Sequence, residues 1–244
     1  RFTQLVSMIR IQNICKTEYN IKIITKLSGS TVWIYMPVEN IISKADKPEK
    51  SKEYFIIKKN ISAFEYGKLK LSYYIKPIPE TEKLQEATLN KDIAEKTNKV
   101  FRVISRVIFS MERTKKQPKF YCFIVADTKT GILIKQTFYC LDLKKVLYQF
   151  ISQTEFQHRN IQETEITFQA IGNKEGLNVN YKDITMREFI ANQIRHRVLL
   201  KFQKPEVKQN ADINKEIIKI VANVVKIYNF KDFLSVELNN IFTK

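Results

Sequence analysis

The stretch Asn90–Ile151, NKDIAEKTNKVFRVISRVIFSMERTKKQPKFYCFIVADTKTGILIKQTFYCLDLKKVLYQFI, decides the fold class of this chain. Two apolar runs in it, Phe120–Ala126 and Ile132–Cys140, predict a β-hairpin. Asp142 is expected to cap a helix after the hairpin, and Asn90 a longer helix before it. That longer helix has an apolar stripe at helical spacing, formed by Ile93, Val100, Phe101, Ile104, Val107, Ile108 and Met111.

The residues before this stretch repeat the pattern of a helix followed by a hairpin. Phe2–Tyr19 has helical apolar spacing, and Asn20 is a suitable left-handed stop. Ile21–Leu27 and Thr31–Met36 then predict a hairpin. The following polar, Lys-rich residues 38–53 predict a surface excursion. Further strands are expected at Tyr54–Lys58 and Lys68–Lys76, with a proline-punctuated linker from Pro77 to Leu89.

The C-terminal part of the chain predicts two more helices between two strands. A strand is expected at Thr164–Ile171, and Thr185 with Glu188 has the form of a capping box. The helix that it opens ends at Lys204-Pro205. Asp212 opens the last helix, and Phe233–Leu238 is expected to be the final strand.

This order of elements predicts an α+β fold with an antiparallel sheet built from hairpins and amphipathic helices packed on one face. Pseudo-repeated helix–hairpin modules fit the order, and the first and last long helices both end in Tyr-Asn, at Tyr19-Asn20 and Tyr228-Asn229. We expect an N-terminal part over residues 1–80 and a second part over residues 81–244. They form one compact unit or two closely packed subdomains.

The charge of the chain has two interpretations. There are 42 Lys and Arg residues against 25 Asp and Glu residues, a net charge of +17 over 244 residues. Attraction to nucleic acid, an acidic membrane surface or an acidic polymer is one interpretation. The other is a Lys-rich composition spread over solvated faces, because acids are interleaved almost everywhere. No apolar stretch is long enough to span a membrane.

Three cysteines, Cys15, Cys122 and Cys140, leave at least one thiol without an intramolecular disulfide. If Cys122 faces Gln136 in the hairpin, Cys140 lies about 13 Å away at ~3.3 Å per residue. That separation is too long for a disulfide, which needs Cα atoms within about 7 Å. A bridge from Cys15 to either of the others stays open.

The sequence contains no recognisable catalytic motif, metal site or cofactor site. Its two histidines, His158 and His196, have no ligand partner at metal-binding spacing, and no nucleotide-binding glycine loop or nucleophile elbow is present. We therefore expect a protein that is not an enzyme and has no cofactor. An unrecognised carboxylate or thiol site is the remaining route to an enzyme.

Two groups of residues are candidates for binding. Arg102 with Arg106, and Arg195 with Arg197, are candidate anion-binding residues, although each pair also fits the wet side of an amphipathic helix. Trp33 and Tyr35 alternate along one strand, which gives either an aromatic binding face or a core-packed face.

Several segments carry a family resemblance: Ile14–Asn20, Thr31–Pro37, Ile104–Val107, Phe120–Asp127 and Ile151–Phe156. Together they resemble an uncharacterised group of predicted lipoproteins from uncultured bacteria of the Omnitrophica type. The resemblance implies a lipid-anchored envelope protein, with its anchoring cysteine upstream of Arg1, and it implies no catalytic role.

From these observations we expect a non-enzymatic binding or structural domain of the bacterial cell envelope. Its partners would be an acidic membrane surface, an acidic polymer or another envelope protein. The alternative is a cytoplasmic nucleic-acid-binding protein that uses its basic surface on phosphates.

Overall fold

The chain forms two compact units, and each unit combines two separate segments of the sequence. In the computed structural model, which describes residues 2–110, 117–203 and 207–241, the first unit comprises Arg1–Lys44 with Ala87–Ile184. The second comprises Ala45–Glu86 with Thr185–Lys244. The expected division at residue 80 falls within the first segment of the second unit, because the chain leaves the first unit and returns to it before ending in the second.

Helices and strands alternate in groups along the chain, which confirms the α+β class. The described residues form α1 (Phe2–Tyr19), β1 (Ile24–Ser28), β2 (Thr31–Val38), β3 (Ile42–Glu65), β4 (Lys68–Leu89), α2 (Lys91–Ser110), β5 (Phe120–Asp127), β6 (Ile132–Tyr139), α3 (Cys140–Leu147), α4 (Gln153–Arg159), β7 (Ile161–Ile166), a 3₁₀ turn (Phe168–Ala170), α5 (Met186–Gln203), α6 (Ile213–Tyr228) and β8 (Ser235–Asn240).

The first unit contains a five-stranded sheet in the order β1-β2-β5-β6-β7. Both predicted hairpins are present, but the strands that join them, β2 and β5, run parallel, from Thr31 beside Phe120 to Val38 beside Asp127. The sheet is therefore mixed, and the prediction of an antiparallel sheet was wrong in this detail. The parallel pair arises because α2 carries the chain back to the end of the sheet at which β2 begins. β5 therefore starts beside the first residue of β2, as in a helical crossover connection.

The helix-facing side of this sheet contains the main core. Alternate residues of β2 and β5 point toward α1 and α2, and they pack against the apolar stripe that was predicted on α2. Met111, the last member of that predicted stripe, lies outside the described residues. The buried members from β2, β5 and α2 are Val32, Ile34, Met36, Tyr121, Phe123, Val125, Ile93, Val100, Val103, Ile104, Val107 and Ile108.

The second unit contains a three-stranded sheet in the order β3-β4-β8. β3 and β4 form one long hairpin through Tyr66-Gly67, and β8 pairs in parallel with β4. The predicted surface excursion and linker were wrong, because both segments belong to this hairpin. Cross-strand pairs of opposite charge accompany the pairing there, Lys50–Glu82 and Lys52–Glu80 among them, so a lysine-rich sequence can still form strands.

Most of the predicted helix ends are confirmed by hydrogen bonds or backbone angles. The side chains of Asn90, Thr185 and Asp212 accept backbone N–H groups at 3.0, 3.2 and 3.1 Å. Asn20 and Asn229 both have left-handed backbone conformations, with φ of 53° and 47°. The end predicted at Lys204-Pro205 lies outside the described residues.

Asp142 does not cap α3, and that prediction was wrong. The helix begins at Cys140, so Asp142 lies within its first turn, where its carboxylate is buried and accepts a hydrogen bond from Arg159 at 2.8 Å. Arg159 also donates to Glu155 at 2.7 Å. The carboxylate of Asp142 therefore links α3 to α4 through Arg159, instead of accepting free backbone N–H groups at a helix start.

Asp127 ends β5 and fastens the chain that leaves β2. Its buried carboxylate accepts N–H groups from Ile41 at 2.9 Å, Lys129 at 2.9 Å and Thr130 at 3.1 Å. Burial alone would raise the pKa of Asp127, but these hydrogen bonds outweigh it and lower the pKa below its ordinary value. The ionised form is thus the one that the fold stabilises.

We expect Asp127→Ala to lower the free energy of unfolding by about 3 kcal/mol, because three N–H groups lose a charged acceptor. The folded pKa of Asp127 is lowered, so its stabilisation is present above the unfolded pKa of about 3.9 and lost as the pH falls through the folded pKa. Urea unfolding across that acid range measures both effects. Asp127→Asn is the matched control, because it keeps an acceptor and should flatten the acid dependence. An unchanged acid dependence would contradict this account.

Candidate functional site

Trp33 and Tyr35 lie on the face of the first unit's sheet that points away from α1 and α2. The strand alternation predicted that the two side chains share a face, and they do, beside Cys122 and Ile124 of β5. The face is not open to solvent: Trp33 is 4% exposed and Tyr35 is fully buried. The irregular residues 173–184 cover it, and we call them the cover segment.

Hydrogen bonds from the sheet hold the cover segment in place. The indole Nε1 of Trp33 donates to the carbonyl of Lys182 at 2.8 Å, and the hydroxyl of Tyr35 donates to the carbonyl of Asn173 at 2.6 Å. These two aromatic side chains therefore satisfy backbone carbonyls of an irregular segment that has no sheet or helix partners. Both side chains therefore line the covered face of the sheet and anchor the cover segment to it.

Asp183 fastens the end of the cover segment to the β1–β2 turn. Its carboxylate accepts the backbone N–H of Ser30 at 2.9 Å and the hydroxyl of Thr31 at 3.0 Å. The turn residue Gly29 has φ of +56°, and a Cβ atom there would lie 2.0 Å from Asp183 Oδ2. Only glycine permits this close approach of the carboxylate.

A pocket of about 220 Å³ lies between the sheet face and the cover segment. Its floor is aromatic and aliphatic, and its walls are polar. The floor residues are Trp33, Tyr35, Ile124 and Leu133, and the polar wall includes Lys135, Glu165, Gln169, Asn178, Asn180 and Lys182. An apolar floor with a few convergent polar groups is the usual composition of a small-molecule site.

Three carboxamide side chains in the wall are available to a ligand. Gln169, Asn178 and Asn180 make no side-chain hydrogen bond to any residue that the structure describes, and all three are exposed. Each carboxamide offers two donors and one acceptor oxygen. The wall can therefore both donate to and accept from the same ligand group.

The charged groups around the pocket nearly balance. Lys135 forms an ion pair with Glu163 at 2.5 Å, and Glu165 lies two residues further along β7 on the same sheet face. The Nζ of Lys26 lies 4.3 Å from the ring centroid of Tyr181, a residue of the cover segment. Burial, together with Tyr35, raises the pKa of Tyr181 to about 12, so its phenol is neutral near pH 7.

Sequence reasoning identified the aromatic floor but missed the polar wall. Apart from Lys135 on β6, the wall comes from residues 165–182, part of which was predicted to be strand. The useful signal was the composition of residues 172–180, GNKEGLNVN, because Gly and Asn at this density indicate irregular backbone. What such a segment covers depends on contacts with strands more than 130 residues away, as in the hydrogen bond from Tyr35 to Asn173.

The predicted arginines Arg102 and Arg106 lie exposed on α2 in the first unit. Arg106 forms a two-point ion pair with the carboxylate of Glu18 on α1, one of its contacts being 2.9 Å. The hydrogen bond to Arg106 lowers the pKa of Glu18. Glu18 thus supplies the opposing acid for Arg106, which holds two helices together at the surface.

Arg195 and Arg197 lie on α5 in the second unit, and both are half-buried. Burial lowers the pKa of Arg195, and its backbone carbonyl accepts a hydrogen bond from Asn60 at 2.8 Å. The structure therefore places the two arginine pairs in different units, and neither pair contributes to the sheet-face pocket. Their role in binding anions stays a prediction.

The thiols are placed as core residues. Cys15, Cys122 and Cys140 are all buried and none of them forms a disulfide, so the bridge from Cys15 that the sequence left open is not formed. Burial raises the pKa of Cys15 and of Cys140 to about 11. A thiol with such a pKa is protonated near pH 7 and is a weak nucleophile.

Among the residues that the structure describes, no group of three or more His, Cys, Asp or Glu side chains could hold a metal ion. None of the helices described has the length and apolar character that a membrane span requires.

Comparison with known proteins finds no matching family model, no matching curated protein and no matching solved structure.

We expect Asp183→Ala to loosen the cover segment, because Ser30 and Thr31 lose their shared carboxylate acceptor. Trp33 is the only tryptophan in the chain, so its emission should shift to the red and its quenching by acrylamide should increase, with little change in circular dichroism. Glu175→Gln is the matched control, because Glu175 lies in the same segment and its ion pair with Lys22 is largely exposed. Equal quenching in both variants would contradict the proposed fastening.

We expect the folded protein to react slowly with a thiol reagent near pH 7, and unfolding in guanidinium to expose three reactive thiols. The measurement is the time course of absorbance with Ellman's reagent. A thiol that reacts at the rate of free cysteine before unfolding would identify an activated nucleophile.

Proposed function

We propose that the first unit is a non-catalytic binding domain whose sheet-face pocket takes a small, polyhydroxylated molecule or one residue of a polyhydroxylated chain. The observation that carries this proposal is the combination of a Trp33–Tyr35 floor with three carboxamides in the wall. The proposal concerns binding, because the described thiols are buried and no cluster of metal-binding side chains is found among the described residues.

The dimensions of the pocket support a small ligand. Its volume of about 220 Å³ is below the ~300–1,000 Å³ that is usual for sites of drug-sized molecules. A single ring with its substituents fits such a volume better than an extended peptide does. A longer chain can bind only by placing one residue inside.

The chemistry of the pocket supports a ligand with one apolar face and many hydroxyl groups. Aromatic rings such as that of Trp33 pack well against the C–H face of a saturated ring. A hydroxyl group both donates and accepts, and the carboxamides of Gln169, Asn178 and Asn180 offer both functions. The near balance between Lys135 and its partner Glu163 favours a neutral ligand over a strongly charged one.

We also propose a cellular location for this binding domain. A lipoprotein-like domain of the cell envelope is supported by the sequence resemblance, and binding one residue of a surface polymer is compatible with that location. The alternative, a cytoplasmic nucleic-acid-binding protein, has weaker support. Of its four arginines, Arg106 is paired with Glu18, and Arg195 is half-buried and partly desolvated.

We expect neutral saccharides to change the fluorescence of Trp33, the only tryptophan and a floor residue of the pocket. The first measurement is a titration of the whole chain with neutral mono- and disaccharides, with a simple uronic acid alongside. Weak, millimolar binding corresponds to about −4 kcal/mol, which a few hydrogen bonds and one ring contact can provide.

The double variant Asn178→Ala with Asn180→Ala should weaken that binding by about thirtyfold, since each lost hydrogen bond costs about 1 kcal/mol. Asn13→Ala is the matched control, because Asn13 is an exposed carboxamide on α1, outside the pocket. Absence of a saturable change with every saccharide would overturn the assignment of ligand class. Equal weakening by Asn13→Ala would show that the pocket is not the site.

A further inference from the structure

A second surface of the first unit, separate from the sheet-face pocket, exposes three aromatic side chains together. The rings of Phe109 and Tyr148 have centroids 5.8 Å apart, and those of Tyr148 and Phe150 lie 6.3 Å apart. All three are exposed, and Phe150 is 79% exposed. We call Phe109, Tyr148 and Phe150 the aromatic patch. Contiguous exposed apolar surface of this kind marks an interaction site.

The backbone around Phe150 fixes the position of the aromatic patch. After α3 the N–H of Tyr148 donates to the carbonyl of Lys144 at 3.0 Å, and the N–H of Phe150 donates to that of Lys145 at 2.8 Å. Gln149 between them has φ of +61°, a left-handed helix end. Phe150 is therefore held outward by a closed helix terminus, so little ordering is needed when it binds.

Cationic residues lie near the aromatic patch, either in the adjoining turn of α3 or through a hydrogen bond to a neighbouring residue. Lys144 and Lys145 precede it in the last turn of α3, and Leu141, Lys145 and Tyr148 share one helical face at positions i, i+4 and i+7. On the other side, Arg10 Nη1 donates to the hydroxyl of Ser110, the residue after Phe109, at 2.9 Å.

No exposed carboxylate neutralises these cations in the part of the chain that the structure describes. Lys144, Lys145 and Arg10 form no ion pair with any described residue. The only acid between Leu141 and Ile151 is Asp142, which is buried and paired with Arg159. The aromatic patch therefore has a positive border.

We infer that the aromatic patch, with Lys144, Lys145 and Arg10, binds the surface of an anionic phospholipid bilayer. Aromatic side chains locate at the level of the headgroups, where the apolar part of each ring meets the acyl boundary. Lysine and arginine extend their charged ends toward anionic headgroups while their stems cover apolar surface. A polar protein partner would leave the rings of Phe109 and Phe150 unmatched, and a neutral bilayer would leave the cations unmatched.

The test is flotation of the whole chain with two kinds of vesicle, phosphatidylcholine alone and an equal mixture of phosphatidylcholine and phosphatidylglycerol. Binding to the mixed vesicles alone, weakened by added salt, is the expected result. Phe150→Ser should weaken it by about tenfold, because a phenylalanine side chain loses its burial. Lys144→Ser with Lys145→Ser should weaken it by about tenfold or more and reduce the salt dependence.

Phe168→Ser is the matched control. Phe168 is 92% exposed in the same unit, but the nearest charged residue before it in the chain is Glu165 and no basic pair adjoins it. Its loss should leave vesicle binding unchanged. All of the substituted side chains are exposed or half-exposed at the surface, and circular dichroism checks that each variant folds.

Four outcomes would overturn the inference. The first is absence of binding to mixed vesicles at low salt, and the second is equal weakening by Phe150→Ser and Phe168→Ser. The third is a Phe150-dependent dimer without vesicle binding, which would assign the aromatic patch to a second copy of the chain. Binding of a DNA duplex that Phe150→Ser leaves intact, with no vesicle binding, would likewise assign the cations to nucleic acid.

Discussion

The two central strands of the first unit, β2 and β5, run parallel and must be covered on both faces. Every residue of β5 is buried, as are the first six of β2. All-parallel sheets are usually buried on both faces, and this central parallel pair is buried in the same way, whereas the parallel pair β4–β8 of the second unit is not. Two long helices cover one face closely, but an irregular segment covers the other. The sheet-face pocket follows from this difference, since irregular backbone cannot match a pleated surface as closely as an amphipathic helix does.

Local patterns in the sequence predicted the local parts of the structure. The apolar stripe of α2, both hairpins of the first unit and the caps at Asn90, Thr185 and Asp212 depend on residues a few positions apart. The parallel contact between β2 and β5 leaves no such pattern, because a helix and an inserted hairpin separate the two strands. The register of the β5–β6 hairpin was predicted one residue too early, as Cys122 faces Thr137, not Gln136.

Sequence patterns predicted only the part of the candidate site that lies on regular strands. Alternation along β2 placed Trp33 and Tyr35 together, and both side chains are buried beneath the cover segment. Contacts between residues far apart in sequence could not be predicted in this way. Arg106 forms an ion pair with Glu18 on a different helix, and Asp142 pairs with Arg159 instead of capping α3. Such partners are set by tertiary packing, which outweighs the local preference of a side chain.

A backbone hydrogen bond closes the first unit at the point where the β3–β4 hairpin leaves it and returns. The carbonyl of Ile41 accepts the N–H of Asn90 at 2.8 Å, while the N–H of Ile41 is held by Asp127. The first unit thus joins the two ends of the long β3–β4 hairpin directly to each other. The loop-closure cost of such an insertion grows only slowly with its length. Ile41–Asn90 is therefore a natural exchange point, at which hairpins of different length or sequence can be substituted while the five-stranded sheet is retained.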